Sequence, residues 1–350
     1  MDYISRIKNL TNKATHLYKL KKQNLILAKQ ETIAGIIFDA ILKKEDPDKI
    51  SNKIKQPISK EIKSILYAIK KIGYLPKLKP LILRPTISVV IPHFNQHKYL
   101  DEALHHLSIQ SSIPEEVIVV DGESKHKSLV KKIFDKHKKK MNLKLLFPQG
   151  KLFAGDRRQI GAEASNSDIV TVHDADDISH VNRIELTKKF FQTHPNSYSL
   201  SFGCVRFKKK FLNFIKDFNS INIKNHLIEP NKISLSLRER FIKQEFSSDL
   251  QYQMRLGCYG NEGNYTWGCQ AAHVAYRKEV TSFISWNPKK QLTFTRFEDY
   301  YFNVLLFLLG QQSYQLDLPI VYYRIGSSVY NTPAITNEIN YAEKQSTINC

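Results

Sequence analysis

Five residues near the middle of the chain, His173-Asp174-Ala175-Asp176-Asp177, place three carboxylates within four positions. Carboxylates packed this closely repel one another and hold their protons more tightly unless a cation neutralises them. Mg2+ or Mn2+ does this with oxygen ligands and completes its shell with phosphate oxygens. Read as extended chain, Asp174 and Asp176 fall on one side, because strand side chains alternate. One could then hold a ribose hydroxyl while the other binds the metal. A purely structural role competes: Asp177 could cap a helix starting near His180. That role needs one carboxylate and is compatible with the first.

Such a cluster needs a strand to carry it, and Ile169-Val170-Thr171-Val172 precedes it directly. Two earlier β-branched runs have the same texture, Ile87-Ser88-Val89-Val90-Ile91 and Glu116-Val117-Ile118-Val119-Val120-Asp121, and read as strands buried on both faces. Leu143–Phe147 reads as another strand. Leu100, Ala103, Leu104 and Leu107 recur at helical spacing, and 157–164 and 181–191 read as further helices. Alternating strands and helices predict an α/β fold with a mainly parallel sheet and helices on both faces. Ligands collect at the carboxyl ends of such strands. Here those ends read Pro92-His93-Phe94-Asn95, Asp121-Gly122-Glu123-Ser124 and the acidic cluster.

The chain carries 53 Lys/Arg against 33 Asp/Glu, a net +20. Residues 1–85 hold 19 basic and 7 acidic side chains, and residues 86–350 hold 34 and 26. The first stretch reads as a mostly helical, basic extension, interrupted at Pro47 and Pro57 and closed by the proline-spaced link Leu75–Pro85. Such an excess attracts anionic partners, although lysines on solvated helix faces account for it equally. Residues 331–350 are polar and read as a loose tail. Four cysteines without paired spacing argue against a zinc site or a disulfide framework. No signal-like segment or bilayer-length apolar run is present, which predicts a cytoplasmic protein, at most peripheral to a membrane.

Four pieces in order resemble family 2 glycosyltransferases of the GT-A fold: Ser88–Asn95, Glu116–Gly122, Ala154-Gly155-Asp156-Arg157-Arg158-Gln159-Ile160-Gly161-Ala162, and Asp174–Asp177. The resemblance covers roughly residues 86–330. It implies a metal-dependent, inverting transfer of sugar from a nucleotide-sugar, UDP-linked by family habit, to an acceptor hydroxyl on a glycan, a lipid-linked sugar or a protein. It places Pro92, Phe94 and Asn95 beside the nucleotide, Asp121 at the base, Arg158 near the diphosphate, Asp174 at the ribose and Asp176 on Mn2+ or Mg2+. The family's general base comes from an acidic pair opening a helix. Arg296-Phe297-Glu298-Asp299-Tyr300 has that form, which makes Asp299 the base and Glu298 the second candidate on the acceptor side. Gly263–Cys269 resembles the acceptor segment, with Trp267 suited to stack on a sugar or to sit in a core. Tyr322-Tyr323-Arg324-Ile325-Gly326-Ser327 resembles a family segment near the diphosphate, which places Arg324 there, although the histidine that often follows the Tyr-Arg pair is missing.

The match has departures. Glu123 and Lys125 stand where the family often has glycine and aspartate, which bears on base identity. The signature of processive polysaccharide synthases is missing, so a non-processive enzyme is expected. Two other classes compete. A nucleotidyltransferase also pairs carboxylates with Mg2+, but wants a glycine-rich phosphate loop after its first strand, and Pro92-His93-Phe94-Asn95-Gln96 offers none. A catalytically inactive protein binding nucleic acid or membrane through residues 1–85 would have no reason to keep Asp174, Asp176 and Asp299. A peripheral contact with anionic membrane is expected from that stretch, and nucleic acid is not.

Overall fold

The computed structural model describes residues 84–150, 152–207, 274–287 and 312–324, with parts of 40–54, 67–81, 218–230, 265–267 and 302–306. Within the basic extension it places a helix at Pro47–Ile54 (α1). Pro47 therefore opens a helix instead of interrupting one, as suits a residue whose fixed φ fits the first turn and whose missing N–H is not needed there. Asp46 precedes it and accepts the Asp48 N–H at 3.0 Å. Of the other helices expected before residue 70 only Ala40 and Tyr67 are described, both helical, and the tail 331–350 lies outside the described residues.

The four strands Ile87–His93 (β1), Glu116–Asp121 (β2), Leu143–Leu146 (β3) and Ile169–Val172 (β4) run parallel in the order β3-β2-β1-β4. Every residue of β1, β2 and β4 is buried, as suits β-branched runs without polar alternation at their centres. The helices His97–Ser108 (α2), Lys127–His137 (α3), Ala154–Glu163 (α4) and Arg183–Thr193 (α5) supply the connections and cover. The chain steps from β1 outward to β3, then returns through α4 to lay β4 on the other side of β1. That reversal makes the carboxyl ends of β1 and β4 the crevice where ligands bind in open α/β sheets.

Beyond β4 the sheet becomes mixed. Ile178–Ser179 (β5), Ser199–Phe207 (β6), Leu227–Ile228 (β7), Tyr265–Trp267 (β8), Val274–Arg277 (β9) and Ser313–Arg324 (β10) extend it in the order β4-β9-β6-β10-β5. β9 is antiparallel to both β4 and β6, whereas β6 and β10 are parallel. β7 pairs with β10 and β8 with β6. An apolar cluster runs through the core, from Val89, Ile91 and Val119 through Phe190 and Phe202 to Ile320.

α4 sits closest to the sheet. A Cβ at Gly161 would fall 2.3 Å from a Val90 methyl and 3.2 Å from a Val120 methyl, so this helix rests its backbone on β1 and β2. The proline-spaced link also docks: Leu81 N–H donates to Pro195 O at 3.1 Å, and Arg277 Nη2 donates to Lys79 O at 3.0 Å. Among the described residues no helix is long and apolar enough to cross a membrane.

Candidate functional site

The loops after β1 and β2 are tied together. His93 and Asp121 are register partners at the strand ends, both fully buried, with His93 Nδ1 2.6 Å from Asp121 Oδ1. An ionised carboxylate only accepts, so the ring nitrogen facing it carries the proton. Ser124 donates its hydroxyl to the same oxygen at 2.5 Å and its N–H to the other at 3.1 Å. Burial pushes the Asp121 carboxyl up, but hydrogen bonds from His93 and Ser124 outweigh it and hold the group below its ordinary range. Asn95, at φ 55, completes the tie. Its N–H donates to Ser124 Oγ at 2.7 Å, and its side-chain oxygen accepts the Lys125 N–H at 2.9 Å. Asparagine tolerates this left-handed conformation better than most residues.

α4 joins these loops to the acidic cluster through two adjacent buried arginines. Arg157 lies over Gly122, where a Cβ would come within 2.4 Å of its Nη1. Its guanidinium stands 5.6 Å from the Phe94 ring centroid and donates to Leu152 O at 2.9 Å. Arg158 turns the other way, donating from Nη2 to Asp174 Oδ1 at 3.1 Å and facing the Trp286 ring at 5.6 Å.

The acidic cluster is a turn and not a strand, closed by Asp177 N–H donating to Asp174 O at 3.1 Å. Strand alternation therefore does not set the directions of Asp174 and Asp176. Nor does Asp177 cap a helix. β5 intervenes, α5 begins at Arg183 after Asn182, and Asp177 is buried beneath the turn, accepting the Arg324 N–H at 2.9 Å. Burial, then repulsion from Asp176 and Asp174, pushes the Asp177 carboxyl well above its ordinary value.

Arginines brace the turn. Arg324, at the end of β10, donates from Nε to Asp176 O at 2.8 Å, pairs with Glu102 of α2, and lies 4.8 Å from the Tyr99 ring centroid. Arg183 is fully buried under the β4 end, bonded to Thr171 Oγ1 and Val172 O at 2.8 Å each and 3.1 Å from His173 Nδ1. Burial lowers its pKa to about 10, against the pull of Asp177 and Asp174. Part of the carboxylate repulsion inferred from sequence is thus met by the chain's own cations.

Pro92, Phe94, Asn95, Asp121, Arg158, Asp174 and Asp176 all gather at this one end of the sheet. Among the described residues no three His, Cys, Asp or Glu side chains close on one point as a metal cage. What the turn offers is Asp174, engaged by Arg158, and the half-buried Asp176. One or two carboxylates completed by substrate phosphates is the arrangement Mg2+ and Mn2+ accept. Trp267 lies on β8, its backbone paired with Gly203. Glu298 and Asp299 lie outside the described residues. Sequence reasoning missed the His93–Asp121 pair, although both close buried runs, and the bracing by Arg157, Arg183 and Arg324. Neither the pair nor the bracing has a local signature, because their partners lie 28 to 222 positions away or depend on helix packing.

A parallel β3-β2-β1-β4 sheet, an antiparallel extension and an acidic turn at the carboxyl end of β4 make a mixed α/β, GT-A-like fold. Residues 88–249 match the family model described as Glycosyl transferase family 2. A curated relative described as an uncharacterized glycosyltransferase from Haemophilus influenzae is 31% identical over 113 residues, which cover 31% of this chain and 44% of that protein. The match thus spans less than half of the relative's length. Among solved structures, S. aureus TarS 1-349 in complex with UDP is 19% identical with a TM-score of 0.46, covering 69% of this chain and 60% of that one. The mannosyltransferase PcManGT from Pyrobaculum calidifontis, in complex with GDP-Man and Mn2+, is 15% identical with a TM-score of 0.41, covering 86% and 70%.

Proposed function

We propose that the domain moves a sugar from a nucleotide-sugar, UDP-linked, to an acceptor hydroxyl, with inversion and without processive extension. The observation that supports this most is the acidic turn. A family 2 domain holds Asp174–Asp177 at the carboxyl end of β4 through Arg158 and Arg324, next to the stitched ends of β1 and β2. Pro92, Phe94 and Asn95 line the nucleotide side. Asp121, kept ionised by His93 and Ser124, accepts from the N–H of the base. Arg158 orients Asp174 toward the ribose hydroxyls and brings positive charge near the diphosphate. Asp176 would hold a divalent Mn2+ or Mg2+, which when bound would supply Lewis-acid stabilisation of the leaving diphosphate.

On the acceptor side Asp299 takes the hydroxyl proton, with Glu298 the second candidate, and Trp267 stacks on the acceptor sugar. The acceptor oxygen then bonds to the anomeric carbon from the face opposite the nucleotide. The carbon–oxygen bond to the diphosphate breaks, and the anomeric configuration inverts. The acceptor is a glycan, a lipid-linked sugar or a protein, and residues 1–85 form a basic extension to the 86–330 domain.

The test is calorimetric titration of a nucleotide-sugar panel into the full chain with Mn2+, followed by slow donor hydrolysis. One donor is expected to bind and be hydrolysed, and Asp176→Ala to abolish hydrolysis. A panel in which no nucleotide-sugar binds refutes the proposal.

A further inference from the structure

The positive charge of residues 86–350 is not spread over that stretch. Residues 125–144 contain nine lysines and one acidic residue, Asp135, a net +8. Residues 86–350 as a whole also carry +8, 34 basic against 26 acidic side chains, so the rest of that stretch sums to zero. The structure gathers those lysines on α3 and its flanks, beside the edge strand β3. Lys136 pairs with Asp101, Lys138 with Asp135, and Lys144 with Glu116. Lys125, Lys127, Lys131, Lys132, Lys139 and Lys140 are all exposed and make no ion pair among the described residues.

Helix stability does not account for this pattern. Lysines in the last turn of α3 suit the helix dipole, but its first turn carries Lys127 and no acidic residue, the unfavourable arrangement. Lys127 and Lys131, and Lys132 and Lys136, stand one turn apart, where like charges destabilise a helix. Lys127 and Lys131 both bring their ammonium groups to the Phe147 ring, at 5.8 and 5.6 Å from its centroid. Leu129, with 42% of its surface exposed, lies across the helix from those two and shares its side with Lys132, three positions on.

We propose that the α3 face is a docking surface for an anionic lipid bilayer. Every cation in the cluster is a lysine. Lysine presents a hydrated point charge, whereas arginine forks around individual phosphates, so the cluster senses charge density and not the geometry of one ligand. An exposed leucine within a lysine field suits a lipid–water boundary, where an apolar side chain enters the headgroup layer as ammonium groups meet anionic heads. A soluble polyanion gains nothing from that leucine. These lysines lie apart in sequence from the basic extension of residues 1–85, and the proposal does not depend on the sugar-transfer reading. The amino end of α3 lies at the carboxyl ends of β2 and β3, so a bilayer on this face brings the open end of the sheet toward the lipid.

The test is co-sedimentation of the full chain with phosphatidylcholine vesicles, with and without phosphatidylglycerol. Wild type is expected to prefer the anionic vesicles and to lose that preference in high salt. The triple variant Lys127→Gln/Lys131→Gln/Lys132→Gln is expected to lose on the order of 100-fold in partition, at about fivefold per lysine. Glutamine keeps the helix, and circular dichroism verifies this. A control, Lys98→Gln/Lys189→Gln/Lys224→Gln, removes the same charge elsewhere and is expected to lose far less. Equal losses in the two variants, or no loss in the first, overturn the proposal. So does wild-type binding to heparin without binding to anionic vesicles, which would assign the face to a soluble polyanion.

Discussion

Gly161→Ala separates local propensity from tertiary packing with a single methyl group. In an isolated helix the change favours the helix by up to about 1 kcal/mol. In this fold the new Cβ would lie 2.3 Å from one Val90 methyl, and 3.2 Å from both its other methyl and a Val120 methyl. Ordinary contact needs at least 3.4 Å, so α4 or β1 must yield by about 1 Å. Val90 is fully buried and β-branched, with little rotameric escape. Overpacking of this kind costs about 2–3 kcal/mol, which leaves a net loss of about 1–2 kcal/mol. At roughly 2–4 °C per kcal/mol for a domain of this size, the melting temperature falls by several degrees. Because α4 carries Arg157 and Arg158 to the site, nucleotide-sugar affinity falls as well. Scanning calorimetry reads the first effect and isothermal titration the second. The double variant Gly161→Ala/Val90→Ala should couple favourably, since removing the Val90 methyls makes room for the added one. A Gly161→Ala protein more stable than wild type, or a double variant whose losses simply add, would refute the packing account.

Two other outcomes follow from the site. Arg158→Met keeps an apolar stem against Trp286 but removes the partner of Asp174. A hydrogen bond to a charged group contributes about 1.5–3 kcal/mol to the folded state, so the melting temperature should fall, and donor affinity should weaken in calorimetry as Asp174 loses its partner; wild-type affinity would dismiss the orienting role. Asp121 has its folded pKa below the ordinary 3.8, so just below that pH the native state binds fewer protons than the unfolded chain. Stability contributed by Asp121 is therefore present above pH 3.8 and lost as the pH falls through the folded value. Asp121→Asn should be less stable at neutral pH and show a shallower acid decline in urea titrations; an unchanged pH slope would contradict the depressed carboxyl.

The parallel half of the sheet was legible because its signals are local. Runs such as Val117–Val120 have no polar alternation and can only be strands buried on both faces. The grouping of Asp121, Arg158 and Asp174 at one end followed from strand order and from family motifs. The turn at Asp174–Asp177 was read as extended because proximity along the chain says nothing of the cations that fold it. Those cations arrive from α4, α5 and β10.

The amino-acid sequence by itself determined the α/β class, the order of the parallel strands' motifs and the presence of carboxylates after β4. Each depends on side-chain type within a short window. Only the tertiary structure decided that Asp177 is buried beneath the turn and that His93 holds Asp121. Those outcomes depend on which distant residues meet in a low-dielectric interior, and pairwise proximity of that kind has no imprint in the local pattern.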